Sequence, residues 1–138
     1  MIYVVIQFGC IIYLIINARF DLVESFSALL IILSLIVGLM AVVNMRLDNL
    51  NIVPTLKDKH QLVTHGIYHF IRHPMYTSVL LFCSAPTLTN ANGVAQLVML
   101  ILFVDLILKS NVEEKLLTER FSAYQNYRSK TGRFLPFM

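Results

Sequence analysis

The sequence predicts an all-α protein, a bundle of about four membrane-spanning helices that forms one domain over residues 1–138. Of its 138 residues, 57% are hydrophobic and 14% are charged, whereas soluble proteins average about half and about a quarter. The mean hydropathy is +0.71. All four histidines lie between residues 60 and 73, so the polar residues are sorted away from the apolar stretches. Such a length leaves no room for a second domain.

Four apolar segments approach the roughly 17 to 25 residues that a membrane-spanning helix needs. The predicted spans are 1–17, 26–45, 75–90 and 93–109. The first lacks the basic start and small-residue cleavage site of a signal peptide, so we expect it to be retained. The sequence TLTNANG separates the last two. Its Asn and Gly favour a tight turn, which predicts a helical hairpin.

Small and sulfur-containing residues within the spans say little about function. Ser34 and Gly38 are four residues apart and could allow two helices to approach closely, although ordinary lipid-facing positions are an equal alternative. Cys10 and Cys83 lie in apolar stretches, where a thiol behaves as a small hydrophobic group. The Gly-Cys at positions 9 and 10 has no basic lead-in, so no lipid attachment is predicted.

The basic residues predict how the bundle is oriented. Arg19 alone follows the first span, while the other ten of the eleven Lys and Arg residues lie in the loop 46–74 or from Lys109 onward. Because short cytoplasmic loops carry an excess of basic residues, both termini, the loop and the tail 110–138 are predicted to be cytoplasmic. The expected location is a bacterial inner membrane. The loop and the tail would then meet and build one site.

The sequence IRHPMY predicts a bent entry into the third span. Proline disfavours α geometry at His73, and Pro74 itself suits the first position of a helix. Arg72 and His73 would then lie beside free N–H groups that favour an anion. The alternative is that Arg72, His73 and Tyr76 only anchor the span at the interface, as snorkelling basic side chains do.

The spacing of His65, His69 and His73 raises the possibility of a metal site. Residues four apart share one helical face, but Gly66 and Pro74 argue against an unbroken helix here. No paired cysteines and no HExxH sequence supply a familiar ligand set. No metal site is predicted, and no nucleic-acid partner is expected.

The tail begins with two adjacent acidic residues, Glu113 and Glu114. They follow the fourth span directly, which places a carboxylate near the membrane surface and facing the basic loop. Adjacent side chains point about 100° apart on a helix, so only one can face a given pocket. The following apolar and aromatic residues have helical spacing and predict a tail helix at the membrane interface.

Two stretches together resemble a known family. These are HQLVTHGIYHFIRHPMY, residues 60–76, and the later pattern EEKLL…F…Y…Y…TGRFLPF. They resemble the isoprenylcysteine carboxyl methyltransferases and their relatives among integral-membrane phospholipid methyltransferases, over roughly residues 46–138. The resemblance implies transfer of a methyl group from S-adenosylmethionine to a lipophilic acceptor, a carboxylate in the first place, at the boundary of membrane and cytoplasm. It implies that the loop and tail, not a Rossmann domain, hold the cofactor.

The resemblance also implies the site residues. The implied cofactor contacts are His60, Gln61, Leu62, Val63, Tyr68, His73, Pro74, Met75, Tyr76 and Glu113, and the predicted catalytic residues are Arg72, Lys109 and Glu114. Lys109 stands where eukaryotic members have a substrate-facing arginine, and this departure leaves the substrate open. A carboxylate acceptor needs no base. An amine or thiol acceptor would need one, for which Glu114 or His69 is a candidate.

Three alternatives remain at this point. The first is N-methylation of a phospholipid amine. The second is an NADPH-dependent reduction, because sterol reductases are similar in their membrane core, although their motif is closer to RHxNY than to RHPMY. The third is a membrane adaptor without catalysis, which leaves the paired polar motifs unexplained. The expected partners are the acceptor and membrane lipids, with a second copy of the chain as an option for closing so small a bundle.

Overall fold

The structure is a computed structural model that describes residues 2–18, 25–46, 49, 61–89 and 92–136. The helices are α1 (Ile2–Ile16), α2 (Ser25–Met45), α3 (Pro74–Thr89), α4 (Gly93–Arg120) and α5 (Tyr124–Lys130), with a short 3-10 helix at Gly66–His69. These ranges contain no β-strand, only an isolated parallel bridge between Ile71 and Gly132. The predicted all-α class is confirmed.

Two helices, α2 and α4, are long and apolar enough to cross a membrane. Large apolar side chains on α2 are more than half exposed, among them Leu29, Leu35 and Leu39. A helix in the core of a soluble protein would bury such a surface, so this exposure indicates a membrane protein. α1 and α3 have 15 and 16 residues. At 1.5 Å per residue they are about 22 and 24 Å long, which is shorter than the hydrocarbon core of a bilayer, about 30 Å.

Helix α4 continues beyond the predicted span. That span covers residues 93–109, and the helix runs on through Glu113 and Glu114 to Arg120. Residues 110–120 are rich in Glu, Lys and Leu, which are good helix formers, and Ser110 and Glu114 are buried by tertiary contacts. The helix therefore projects beyond its apolar part, residues 93–109. At its other end, the Asn92 side chain accepts a hydrogen bond from Ala95 N at 2.8 Å and caps the helix.

The helices pack in two main pairs, α2 with α3 and α1 with α4. α3 and α4 also touch, but the predicted hairpin is not the principal contact of either helix. Ser78 Oγ donates to Ser34 O at 2.7 Å, and a Cβ added to Gly38 would lie 2.7 Å from Ser78 Oγ. Of the two alternatives for Ser34 and Gly38, the structure shows the close helix approach, with α3 as the partner.

The loop before α3 is fastened to the end of α2. Gly66 has φ +63°, and a Cβ there would overlap the side-chain amide of Asn44. Asn44 Oδ1 in turn accepts a hydrogen bond from Ile67 N at 3.0 Å. The 3-10 helix ends at His69 and α3 begins at Pro74. The predicted break in the histidine spacing and the predicted start of a helix at Pro74 are both confirmed.

The tail folds back onto this same loop. Arg72 N donates to Gly132 O at 2.8 Å, and His73 N donates to Arg133 O at 3.0 Å. Tyr127 OH donates to Tyr68 O at 2.6 Å. The tail helix is therefore packed against the protein and does not lie on the membrane surface alone. The predicted meeting of loop and tail is confirmed.

Candidate functional site

Glu114 is the centre of a buried ionic network. Its Oε1 accepts a hydrogen bond from Arg72 Nε at 2.8 Å and lies 3.0 Å from His73 Nε2. Its Oε2 lies 3.6 Å from both Arg128 Nε and Arg133 Nη2. The Glu114 side chain is 3% exposed. One carboxylate on α4 therefore joins the entry of α3, α5 and the segment after α5.

The network shifts the pKa values of its members. Burial alone would raise the pKa of Glu114, but hydrogen bonds from His73 and Arg72, together with their charges, lower it to about 2. Burial likewise opposes the charged form of His73, yet hydrogen bonds and charges from Glu113 and Glu114 raise its pKa above 6.5. Glu114 is consequently a firmly ionised carboxylate and a weak base.

Arg72 forms hydrogen bonds with the tail in addition to its ion pair with Glu114. Its Nη1 donates to the carbonyl oxygens of Arg128, at 3.0 Å, and of Thr131. These carbonyls lie at the C-terminal end of α5, where a positive charge is favourable. The side chain is 9% exposed. A snorkelling membrane anchor would hold its charge in water, so that alternative does not describe Arg72.

Glu113 faces different surroundings from its neighbour. Its Oε1 accepts a hydrogen bond from Tyr76 OH, and its Oε2 lies 3.5 Å from His73 Nδ1. The rings of His73 and Tyr76 stack with centroids 5.4 Å apart and planes 3° apart. At 18% exposure, against 3% for Glu114, Glu113 is the glutamate that a ligand can reach.

Lys109 is buried beside the same aromatic pair. Its Nζ donates to Gln7 Oε1 at 2.8 Å and lies 5.0 Å from the centre of the Tyr76 ring. Only 2% of the residue is exposed, so Lys109 is not a snorkelling anchor either. Arg72, His73, Tyr76, Lys109, Glu113 and Glu114 form one continuous group, which we call the polar cluster.

The remaining predicted residues from the loop lie beside the polar cluster or on the α2 side. Tyr68 is buried, with its hydroxyl directed at Ala41 O at 3.4 Å. Gln61 exchanges two hydrogen bonds with the Asn49 side chain, both at 2.9 Å. Val63 packs on the apolar cluster around Ala41. Gln61 is exposed, and Leu62 and Val63 are half-buried.

Pro74, Met75 and His69 are not members of the polar cluster. Pro74 is buried as the first residue of α3, and Met75 packs against both apolar clusters of the molecule. His69 is exposed, with its ring edge against Phe70. His60 lies outside the described residues. Across the described ranges, no group of three or more His, Cys, Asp or Glu side chains is arranged to hold a metal ion.

Three participants were not predicted from the sequence, namely Gln7, Arg128 and Arg133. Gln7 carries a usable signal, since it is a lone amide in an otherwise apolar α1, and polar groups inside membrane helices are commonly functional. Arg128 and Arg133 carry none beyond their place in a basic tail. Their roles depend on how the tail folds back.

Comparison with known proteins indicates the family of this chain. A sequence model of the phospholipid methyltransferase family matches residues 23–124. The rice "Probable protein-S-isoprenylcysteine O-methyltransferase", from Oryza sativa subspecies indica and japonica, is 30% identical over 84 residues, which cover 59% of this chain and 44% of the rice protein.

A yeast relative gives a similar result. The protein-S-isoprenylcysteine O-methyltransferase of Saccharomyces cerevisiae is 35% identical over 95 residues, covering 64% of this chain and 38% of the yeast protein. The chain thus spans less than half the length of these curated relatives. Since the family match covers most of the chain, this protein belongs to the phospholipid methyltransferase family, with isoprenylcysteine O-methyltransferases among its relatives, as its sequence motifs predicted.

Proposed function

We propose that this protein transfers a methyl group from S-adenosylmethionine to a lipophilic acceptor at the membrane surface. The observation that carries the proposal is the polar cluster, in which a reachable carboxylate, two stacked rings and a buried lysine meet where α4 leaves its apolar part. The relatives named as isoprenylcysteine O-methyltransferases support a carboxylate acceptor attached to an apolar chain.

The residues present fit the charged groups of this cofactor. The Glu113 carboxylate is partly exposed and suits an ammonium group. The face of the Tyr76 ring suits a positively charged sulfur, and His73, whose pKa is raised by Glu113 and Glu114, suits a carboxylate. The N–H groups of His73, Tyr76 and Thr77 at the start of α3 already donate to carbonyl oxygens, so the free N–H groups expected there are not available to an anion. The loop residues His60, Gln61, Leu62, Val63 and Tyr68, with Pro74 and Met75 of α3, complete the proposed binding set.

When bound, S-adenosylmethionine supplies an electrophilic methyl group, so that the acceptor oxygen bonds to the methyl carbon while the carbon–sulfur bond breaks and sulfur keeps the electron pair. A carboxylate acceptor has no proton to lose, which agrees with the low pKa of Glu114. Arg72 and Glu114 therefore act as positioning residues, because they hold His73 and the tail in place. Positioning of this kind supplies much of the rate in a displacement reaction.

Lys109 is the proposed acceptor-binding residue. It is four residues before Glu113, so the two side chains share one face of α4, and it contacts the Tyr76 ring. Its ammonium group can hold a carboxylate as a point charge, without the two-pronged geometry of arginine. Looser substrate selection than in an arginine-bearing relative is the consequence.

N-methylation of a phospholipid amine is the second candidate, because the matching family is that of the phospholipid methyltransferases. An ammonium acceptor would have to lose a proton before it could attack. Glu114 is poorly suited to take that proton, since its pKa is about 2, and His69 is exposed outside the polar cluster. The carboxylate acceptor is thus the better match to the site.

The membrane arrangement that we propose has four spans, with both termini and the site in the cytoplasm of a bacterial inner membrane. Arg46 follows the C-terminal end of α2, Arg72 precedes α3, and Arg128 lies in the tail. The contact of Asn44 with Ile67 and the contacts of Arg72 and His73 with the tail support a location of these positions at one end of the bundle. That end is cytoplasmic under the rule that positive charge stays inside.

Calorimetry with the purified chain in detergent tests the proposed function. S-adenosylhomocysteine should bind and NADPH should not. Glu113→Gln should weaken that binding by roughly 10- to 150-fold, which corresponds to a lost charge-assisted hydrogen bond of about 1.5–3 kcal/mol. Glu119→Gln, an exposed change on the same helix, is the matched control and should leave the affinity as it was.

Glu114→Gln tests whether Glu114 stabilises the fold and does not bind the cofactor. It removes the centre of a buried network, so it should lower the thermal stability more than the cofactor affinity of the folded protein. Tight NADPH binding without any S-adenosylhomocysteine binding would move the protein to the reductase class. Equal, small effects of the Glu113 and Glu114 changes would refute the assignment of Glu113.

A further inference from the structure

A polar cleft lies between α4 and α5, away from the site proposed for methyl transfer. Its volume is about 340 Å³, and it is lined by Asn111, Glu114, Lys115, Thr118, Glu119 and Arg128. Ligand sites usually measure about 300–1,000 Å³, so the cleft can take a small polar group. Asn111 and Lys115 are each two residues from Glu113, which is about 200° around the helix. The cleft therefore lies on nearly the opposite side of α4 from Glu113.

Positive charge is in excess around the inner wall of the cleft. Guanidinium groups of Arg72, Arg128 and Arg133 lie between 2.8 and 3.6 Å from the Glu114 carboxylate, so three positive charges surround one negative charge. Arg128 is the most accessible of the three, with 46% of its side chain exposed. Its 3.6 Å contact with Glu114 is longer than a hydrogen bond. The Arg128 guanidinium group can therefore donate to a second anion.

Lys115 and Asn111 add donors to the same cleft. Both residues are exposed, and an ammonium group beside a guanidinium group favours a phosphate oxygen. Glu119 also lines the cleft, and its carboxylate disfavours a ligand with two negative charges. A phosphodiester carries one negative charge, whereas a phosphate monoester carries about 1.5 to 2 at neutral pH. The lining therefore fits an anionic phosphodiester best.

The cleft lies at the depth of lipid headgroups. The apolar part of α4 ends at Lys109, and Asn111 and Lys115 follow two and six residues later. At 1.5 Å per residue they lie about 3 and 9 Å beyond the hydrocarbon. The polar layer of a bilayer is about 5–8 Å thick on each side. A phosphodiester found at this depth belongs to a membrane lipid.

An exposed apolar stripe continues from the cleft towards the membrane interior. Spacings of three and four residues place further side chains on the Asn111 face of α4, namely Leu97, Ile101, Val104 and Leu108. These four residues are between 44% and 56% exposed. A lipid with its headgroup in the cleft can therefore place its acyl chains along the same helix.

We propose that this cleft binds the phosphodiester headgroup of an anionic membrane lipid through Lys115 and Arg128. The inference goes beyond the proposed function, because the cleft uses neither Glu113 nor Lys109. Arg72 donates to Arg128 O at 3.0 Å, so a lipid held by the Arg128 side chain contacts the part of the tail that Arg72 also holds. The bound lipid therefore stabilises the packing of α5 on α4.

Thermal unfolding of the full chain in an uncharged detergent tests the inference. A ligand that binds only the folded state raises the melting temperature in a concentration-dependent manner. Short-chain phosphatidylglycerol should raise it with saturation. Diacylglycerol with the same acyl chains lacks the phosphate and should leave it unchanged. Inorganic phosphate at equal ionic strength is the third ligand, and it distinguishes a soluble anion from a lipid.

Two lysine variants distinguish the cleft from general attraction to the basic tail. Lys115→Gln should increase the half-saturating concentration of phosphatidylglycerol at least about 10-fold, which corresponds to the loss of one charge-assisted hydrogen bond. Lys130→Gln removes the same charge from an exposed position on α5 outside the cleft and should change it by less than about 2-fold. Arg128→Gln should act like Lys115→Gln when each rise is compared with the lipid-free melting temperature of the same variant.

Four outcomes would overturn the inference. They are no rise with phosphatidylglycerol, an equal rise with diacylglycerol, an equal loss of affinity in Lys115→Gln and Lys130→Gln, and a rise with inorganic phosphate alone. The measurement needs no cofactor, so its result is independent of the proposed function. Repeating it with saturating S-adenosylhomocysteine should give the same half-saturating concentration, because the two sites lie on different sides of α4. Competition between the two ligands would place the lipid outside the cleft and refute the assignment.

Discussion

At the scale of single residues, Glu113 and Glu114 show how burial divides two identical side chains. Glu114 points into a network of Arg72, His73, Arg128 and Arg133 and is 3% exposed. Glu113 accepts a hydrogen bond from the Tyr76 hydroxyl, and its side chain is 18% exposed. Their angular separation on the helix follows from the sequence, but which one is buried depends on groups from α3 and the tail. Glu114 therefore holds the surrounding segments together, while Glu113 stays partly accessible.

The ionic network predicts how stability depends on pH. His73, facing Glu113 and Glu114, has a pKa raised above 6.5. Its contribution is complete below pH 6.5 and is lost as the pH rises through the raised pKa. The pKa of Glu114 is lowered from 4.5 to about 2, so its contribution is complete above pH 4.5 and is lost as the pH falls towards 2.

Thermal unfolding in detergent across this pH range checks the expectation. The contribution of this network to the wild-type melting temperature should be highest between pH 4.5 and 6.5. His73→Gln should remove the decline on the alkaline side, while His69→Gln, at an exposed position, should retain it. An unchanged alkaline decline in His73→Gln would show that another group is responsible.

At the scale of helices, the contact between α2 and α3 depends on small residues. Gly38 faces Ser78, whose hydroxyl donates to Ser34 O. Ser78 cannot turn away from a new Cβ without losing this hydrogen bond. Small residues four apart can lie at a helix–helix contact or on a lipid-facing surface, and the sequence does not distinguish the two. The structure shows that Ser34 and Gly38 lie at a helix–helix contact.

Gly38→Ala should destabilise the protein relative to Gly9→Ala. Nothing lies within 4 Å of a Cβ added at Gly9, whereas at Gly38 the Ser78 Oγ would be 2.7 Å away. Both changes gain the same helix propensity, about 1 kcal/mol. The difference between the two variants in free energy of unfolding therefore measures the cost of the overlap with Ser78, which we expect to be about 1–3 kcal/mol. Melting temperatures in one detergent measure it.

The double change Gly38→Ala with Ser78→Ala serves as the rescue for this pair. It removes the overlapping hydroxyl and leaves the Ser78 Cβ at 3.5 Å, an ordinary contact. The double variant should therefore regain part of the stability lost in Gly38→Ala. The recovery stays incomplete because Ser78→Ala also removes the hydrogen bond to Ser34 O. Equal melting temperatures of Gly9→Ala and Gly38→Ala would contradict the close packing of α2 and α3.

At the scale of the whole molecule, the site exists because the loop and the tail meet at one end of the bundle. Arg72 joins three parts of the chain, namely α4 through Glu114, the end of α5 through Arg128, and the following segment through Thr131. The Ile71 and Gly132 bridge lies beside it. Any arrangement in the membrane must therefore place the loop and the tail on the same side.

Cysteine labelling in intact cells checks the proposed orientation. In a background with Cys10 and Cys83 replaced by alanine, single cysteines at positions 20 and 125 should react with a membrane-impermeant reagent from opposite sides. Position 125 should become reactive only after the membrane is opened. Labelling of both positions from the same side would refute four spans with cytoplasmic termini.

The sequence by itself determined the helical class, the start of α3 at Pro74, the break among the histidines and the family. These features depend on composition, on hydrophobic runs and on the local geometry of proline and glycine, all of which act within a few residues. No end was predicted for the helix beyond the fourth span, because the face that it buries on the way to Arg120 depends on distant partners.

Only the tertiary structure decided which groups act together. Lys109 meets Gln7 across 102 positions of sequence, and His73 meets Glu114 across 41. The burial of Lys109, the choice between the two glutamates and the set of cations around Glu114 all depend on such long-range partners. A charged side chain in a membrane protein is an anchor or part of a site according to what surrounds it, and those surroundings exist only after the helices have packed.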